Sequence, residues 1–446
     1  MTTGSSPTAR PAFFYGWVIL GIAFVTMAVS VTARTGFSLF YPELIAEFGW
    51  DSAETAAAFS IGFLASTAFL PVVGLMMDRV GPRVLIPLGG ILIASGFLLM
   101  TQVTGVLGLY FTFGILVVCG SMSSSYIVHT MFIPNWFSQR KGLAIGLVFS
   151  GVGIGGIIIL PLQQWLIDSY GWRSASYAVA ALVLVAMLPL NALFTRKRPQ
   201  DLGLLPDGQD PRESDPDAPA AARPPFPDMI VDHDWVARDW TIKSAMATAR
   251  FWWLVVGFSS ALFIWYAIQV HQTRFLLEIG FGPEVAATAL GLVGLFGVAG
   301  QIGLGALSDR IGRETAWSIA LLGYIGSSLL LIQLERDSSL VLLYAMVALQ
   351  GLLGNGLAAL YGSIPSEIFS GRRYAMIFSI IALFGNLGAG AGPWILGLIY
   401  DAQGSYRLGF QLTLAMALLS ILGIWMAAPR KVRLVAGQAR KRARRV

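Results

Sequence analysis

Between residues 84 and 138 the chain carries no Asp, Glu, Lys or Arg. A soluble fold would have to bury almost all of such a run. A helix of about 20 apolar residues instead spans a hydrocarbon core about 30 Å thick. Comparable runs recur, and twelve segments are long and apolar enough to cross: residues 13–41, 53–77, 83–101, 105–133, 142–167, 173–195, 250–276, 284–307, 314–333, 339–364, 374–400 and 407–428. The third and fourth are divided at the polar stretch from Thr101 to Gly105. Only 12% of the residues are charged, about half the share of a soluble globular chain. The expected class is an all-α membrane protein with twelve transmembrane helices. Polar residues lead straight into a full-length first span, without a cleavable-signal pattern. The single cysteine, Cys119, excludes an intrachain disulfide. With three histidines beside it, no metal or cofactor is expected.

Lys and Arg set the orientation, since they accumulate in cytoplasmic loops. With both termini cytoplasmic, 25 of the 30 Lys and Arg residues fall inside. Arg34, Arg173, Arg274, Arg336 and Arg407 fall outside or within spans. Short loops suit a bacterial inner membrane.

The chain also repeats itself. Gly74, Asp78, Arg79, Gly81 and Arg83 form one acidic-basic turn after the second span; Gly305, Asp309, Arg310, Gly312 and Arg313 form another after the eighth. Asp78 and Asp309 lie 231 residues apart, and Glu47-Phe48-Gly49 matches Glu278-Ile279-Gly280 at the same offset. Arg140-Lys141 matches Arg372-Arg373 at 232, and Asp168 matches Asp401 at 233. The chain therefore reads as two parallel six-helix repeats. Residues 1–12 form an N-terminal tail, 13–195 and 247–428 the two bundles, 196–246 a linker with eight prolines, and 429–446 a basic tail. The tail would lie on anionic lipid or stay solvated. In each turn, the first glycine permits close helix approach and the second a positive φ. Each aspartate can cap a neighbouring helix or pair with arginine.

Two such repeats with that paired turn resemble the major facilitator superfamily, over nearly the whole chain. The resemblance implies a secondary carrier rather than an enzyme, in which Asp78, Arg79, Arg83, Arg140, Asp309, Arg310 and Arg313 hold a cytoplasmic gate. Phe14-Tyr15-Gly16-Trp17, Asn135-Trp136-Phe137 with Arg140-Lys141-Gly142, Gly171-Trp172-Arg173 and Asp201-Leu202-Gly203-Leu204-Leu205-Pro206-Asp207-Gly208 resemble its monocarboxylate transporter and oxalate:formate antiporter branch. That branch implies a small organic anion as substrate, often moved with protons or in exchange.

Charge at membrane depth costs at least a few kcal/mol, so each such residue needs a partner or a purpose. Arg34 lies 17 residues past Trp17, roughly 25 Å along the helix at 1.5 Å per residue. No acidic residue precedes Glu43 in that span. A planar guanidinium suits a carboxylate; pairing with another helix, or snorkelling outward, is the bland alternative. The position also resembles the basic residue in helix 1 of monocarboxylate transporters. Where the branch carries a helix 8 arginine, this chain has Gln301 as the facing position. Helix 11 offers Asn386 rather than lysine. One cation with amide and hydroxyl donors suits a monoanion. Tyr126 and His271 complete the candidate substrate set, and His271 could carry a proton. His129 is a weaker candidate near the cytoplasmic end.

The glycines at 291, 294, 297, 300 and 303 read mainly as packing. No nucleophile elbow, zinc-protease or phosphate-loop motif occurs. Nucleic acid is not an expected partner, and the expected state is a monomer in lipid. Export of amphipathic drugs is the alternative function.

Overall fold

A computed structural model describes residues 13–208, 228–335 and 339–444. The N-terminal tail expected at 1–12, linker residues 209–227 and the last two residues of the basic tail lie outside the described residues.

Among the described residues, eleven helical runs are long and apolar enough to cross a membrane, and one of them folds back on itself to supply two spans. Helices α1 (Gly16–Phe48, bending at Gly36), α2 (Ser52–Arg79), α3 (Pro82–Met100) and α4 (Val106–Trp136) open the first half. The expected fifth and sixth spans form one helical run, Lys141–Phe194, interrupted where Gly171 takes φ 78° and ψ 161°. Such a φ favours glycine, and it folds the run into α5 (141–170) and α6 (172–194). At this turn Trp172 Nε1 donates to Glu47 Oε2 at 2.7 Å, and Arg173 forks onto both Glu47 oxygens at 2.7 and 2.6 Å. The second half comprises α7 (Ala249–Glu278), α8 (Pro283–Ile311), α9 (Arg313–Gln333), α10 (Leu340–Ile368), α11 (Tyr374–Gln403) and α12 (Arg407–Ala427).

Each half closes around its own aromatic core, with Phe97, Phe113 and Trp136 fully buried in one, and Phe251, Phe258 and Trp317 in the other. Outside, Leu107, Val185 and Val341 are 77%, 72% and 76% exposed, which suits lipid rather than water. The two acidic-basic turns, the linker and the basic tail share one end of the molecule, called here the linker face.

Two equivalent helices are irregular. Helix α4 contains a π turn at Tyr110–Val117 and breaks at residues 123–125 before restarting at Tyr126. Helix α10 contains a π turn at Leu349–Leu353, then a 3-10 turn at Gly354–Gly356. Broken helices at membrane depth are tolerated where they are buried in protein or line a cavity. Of the glycine series in α8, Gly297 packs on Asn355 and Gly300 on the Gly351 carbonyl, whereas Gly291, Gly294 and Gly303 face open space. Packing therefore explains two of the five.

The basic tail does not lie free on lipid. Arg433 pairs with Ile230 of the linker in a single β-bridge, and α13 (Ala436–Ala443) docks at the linker face with Ala436 and Ala439 buried. Gln438 Nε2 donates to the terminal carbonyl of α8, Ile311 O, at 2.9 Å.

Candidate functional site

The break in α4 turns Ser125 and Tyr126 into a cavity of about 130 Å³ between the two halves. Helix α1 contributes Arg34, α5 Phe149, α7 Trp265 and Tyr266, α10 Tyr361, and α11 Asn386. Five of the thirteen lining residues are aromatic, and Met122, Ile127, Leu262, Leu357 and Ala358 make most of the rest apolar. Tyr126 stands edge-on to Phe149 with ring centres 4.6 Å apart, and Tyr361 packs on Phe258 at 4.3 Å. Among the described residues, no Asp or Glu lines the cavity. Arg34 is half-buried, and its Nε has no hydrogen-bond partner. The Tyr361 hydroxyl is likewise buried and unpartnered. A fixed cation and a phenol, both short of acceptors, thus share an uncharged aromatic chamber.

Of the five expected substrate residues, Arg34, Tyr126 and Asn386 meet here. Gln301 does not line this cavity. It is 8% exposed in the seam between α8 and α5, where a Cβ on Gly146 would overlap the Gln301 carbonyl. His271 is also elsewhere. Its Nε2 lies 2.9 Å from the Pro393 carbonyl and its Nδ1 3.2 Å from the Tyr406 hydroxyl. A carbonyl only accepts, so Nε2 carries the proton and Nδ1 accepts from Tyr406. Both ring nitrogens are occupied within the second half. His129 is fully buried, with Nδ1 donating to Ser125 O at 3.0 Å and Nε2 unpartnered. Trp265, Tyr266 and Tyr361 were not singled out from sequence. The signal available was the Phe263-Ile264-Trp265-Tyr266 run and the Gly354-Asn355-Gly356 break ahead of Tyr361.

The linker face is shut by a different set of contacts. Asp309 accepts from Gly142 N and Leu143 N, both at 3.0 Å, and so caps the start of α5 in the opposite half. Asp78 accepts from Met376 N at 3.0 Å and caps the start of α11 in the opposite half. A carboxylate there satisfies free N–H groups and faces the positive end of the helix dipole. Beside each cap the helices touch: a Cβ on Gly74 would overlap Ser379 Oγ, and one on Gly305 would overlap the Gly142 carbonyl.

The counter-charges differ. Arg313 Nη2 lies 2.9 Å from Asp309 Oδ1 and 3.1 Å from Glu367 Oε1, and Lys141 Nζ lies 3.5 Å from Glu367 Oε2. These four side chains are at most 9% exposed. Around Asp78 the partner is Lys197, 3.4 Å from Oδ1 and 2.9 Å from Met77 O. Burial pushes the Lys197 amine below the usual lysine range, and the neighbouring Asp78 opposes that shift. Arg83 turns instead to the Ala192 carbonyl, at 2.6 Å from Nε. Arg79, Arg140 and Arg310 are exposed and make no ion pair with the described residues. Arg140 and Arg310 line a shallow cavity with Arg440. Of the residues expected to gate, Asp78, Asp309 and Arg313 take part in the buried contacts at this face, together with Lys141, Lys197 and Glu367. The linker also pins this face: Asp207 Oδ2 accepts from Ser138 N at 2.9 Å and Gln139 N at 3.0 Å.

Comparison with known proteins agrees with this architecture. The sequence model of the Major Facilitator Superfamily matches residues 23–338. The chain is 26% identical to monocarboxylate transporter 13 of Rattus norvegicus over 405 residues, covering 90% of this chain and 86% of that one. It is 25% identical to monocarboxylate transporter 12 of Homo sapiens over 418 residues, covering 91% and 79%. Among solved structures, a fucose:proton symporter from E. coli superposes with a TM-score of 0.64 at 14% identity, covering 93% and 100%. A proton:xylose symporter superposes with a TM-score of 0.68 at 13% identity, covering 92% and 95%.

Proposed function

The chain belongs to the major facilitator superfamily, and from that premise we propose that it is a secondary carrier of a small monocarboxylate with an apolar body. The observation that carries this reading is Arg34, unpartnered at Nε in a cavity without acidic residues. A guanidinium at membrane depth is costly unless a partner neutralises it. A carboxylate would do so bidentately. The Tyr126 and Asn386 side chains add donors, and the aromatic walls take the apolar part of the substrate. A dianion is disfavoured because Arg34 is the only cation lining the cavity among the described residues. The monocarboxylate transporters among the relatives support the substrate class.

Transport proceeds by alternating access around this chamber. The contacts at Asp78, Asp309 and Arg313 shut the linker face, which supports an outward-facing state. The excess of Lys and Arg at that face supports a cytoplasmic position for both termini. The aromatic walls also favour a second reading, export of amphipathic molecules. Uptake of labelled monocarboxylates into proteoliposomes, with and without an inward proton gradient, separates the two. Gradient-driven accumulation of an acid is the expected result. Flux of uncharged or cationic amphiphiles without any acid flux would reject the carboxylate reading.

A further inference from the structure

A partly open cavity, of about 210 Å³, lies at the shut linker face. Four parts of the chain wall it: Asp78 and Lys141 from the first half, Tyr374 from the second, Lys197 and Arg198 from the linker, and Arg433 from the segment after α12. Its charge is lopsided. Lys141 is matched by Glu367 and Lys197 by Asp78. Arg198 and Arg433 have no carboxylate partner among the described residues. Arg433 donates to Ser370 Oγ, at 3.3 Å from Nη2, and Glu367 lies within electrostatic range, but it makes no ion pair and its Nε is buried and unpartnered. Tyr374 is 8% exposed, and its hydroxyl has no partner either.

Every unsatisfied group on this wall is a donor or carries positive charge. Buried donors are normally paired, by protein, water or ligand. A cation has nothing to bind, because the one carboxylate on the wall, Asp78, already caps α11 and holds Lys197. An acceptor-rich anion fits: guanidinium forks and a phenol O–H are the groups that recognise phosphate or carboxylate oxygens.

We propose that this cavity is a binding site for a small oxyanion, held by Arg198, Arg433 and the Tyr374 hydroxyl. Its walls come from both halves, so it exists only while the linker face is shut. The bound anion bridges the halves, the linker and the tail, and therefore favours the shut state. On the carrier reading above, an oxyanion at the linker face slows turnover; the binding itself does not depend on that reading.

Titration calorimetry of the full chain in nanodiscs of neutral lipid tests the site, with inorganic pyrophosphate and acetate as separate probes. Pyrophosphate is expected to bind, and Tyr374→Phe and Arg433→Gln are each expected to weaken it by about tenfold. Tyr374→Phe removes only one oxygen, so its fold is preserved. Arg34→Gln, in the central cavity, is expected to leave pyrophosphate binding unchanged, which separates this site from the transport site. Acetate binding with the same two sensitivities would also support the site and would identify its ligand as the transported class of anion. Absence of binding by both probes, or binding equal in wild type and in Tyr374→Phe and Arg433→Gln, would overturn the proposal.

Discussion

The two halves meet at the linker face through two copies of one turn, and the copies use the same cap with different counter-charges. Asp78 and Asp309 each sit at a helix end and each hold the first N–H groups of a helix in the opposite half. Around Asp309 the cap is embedded in a buried cluster of Lys141, Arg313 and Glu367. Around Asp78 the cation is Lys197, borrowed from the linker and 20% exposed. One residue accounts for much of this. Arg313 is the first residue of α9, while Pro82 is the first residue of α3. Arg83 follows one position later, about 100° further round a helix, and faces Ala192 instead of Asp78. A motif read as equivalent in both halves thus encodes a buried lock on one side and a looser latch on the other.

Removing the lock should have the largest effect. Arg313→Met leaves Asp309 and Glu367 with only Lys141 in a buried site, where breaking a charge network costs about 3–5 kcal/mol. The shut state should lose most of its population. Labelling of Ser366→Cys in a Cys119→Ser background should then rise steeply, because Ser366 is 8% exposed when the face is shut. Lys197→Ala should act in the same direction by at most about 1 kcal/mol, since its pair is partly solvated and long. Equal labelling in Lys197→Ala and Arg313→Met would break the comparison. Arg83→Ala should move labelling by no more than about 0.5 kcal/mol, as an exposed side chain outside the pair. A larger effect would show that the Ala192 contact matters to the gate.

Much of the fold was legible because its signals are one-dimensional. Apolar run length marks a span, and a constant offset marks a repeat. The aspartate caps were legible for a related reason, since a carboxylate at a helix end has few chemical uses. Spans 5 and 6 are divided only by the turn at Gly171. The site was less legible. Arg34, expected from its position along the first span, lines the cavity together with Tyr126 and Asn386. Gln301 and His271 were expected from positions that carry polar residues in related carriers, but which way a side chain points depends on packing. Gln301 lies in the α5–α8 seam, and His271 is turned to Pro393 and Tyr406. Glu367 and Lys197 were missed because each is paired across more than fifty residues of sequence, with Arg313 and Asp78 respectively. The breaks in α4 and α10 carry no apolar-run signal at all.

The central claim is that Arg34 neutralises a carboxylate in the chamber between the halves. Counterflow of a labelled monocarboxylate in proteoliposomes tests it most directly, comparing wild type with Arg34→Gln, Gln301→Ala and His271→Gln. The account predicts that Arg34→Gln lowers transport by about a hundredfold, the loss of one charge-assisted contact worth up to about 3 kcal/mol, while Gln301→Ala and His271→Gln stay within about threefold of wild type. Transport by Arg34→Gln at the wild-type rate and KM would contradict it.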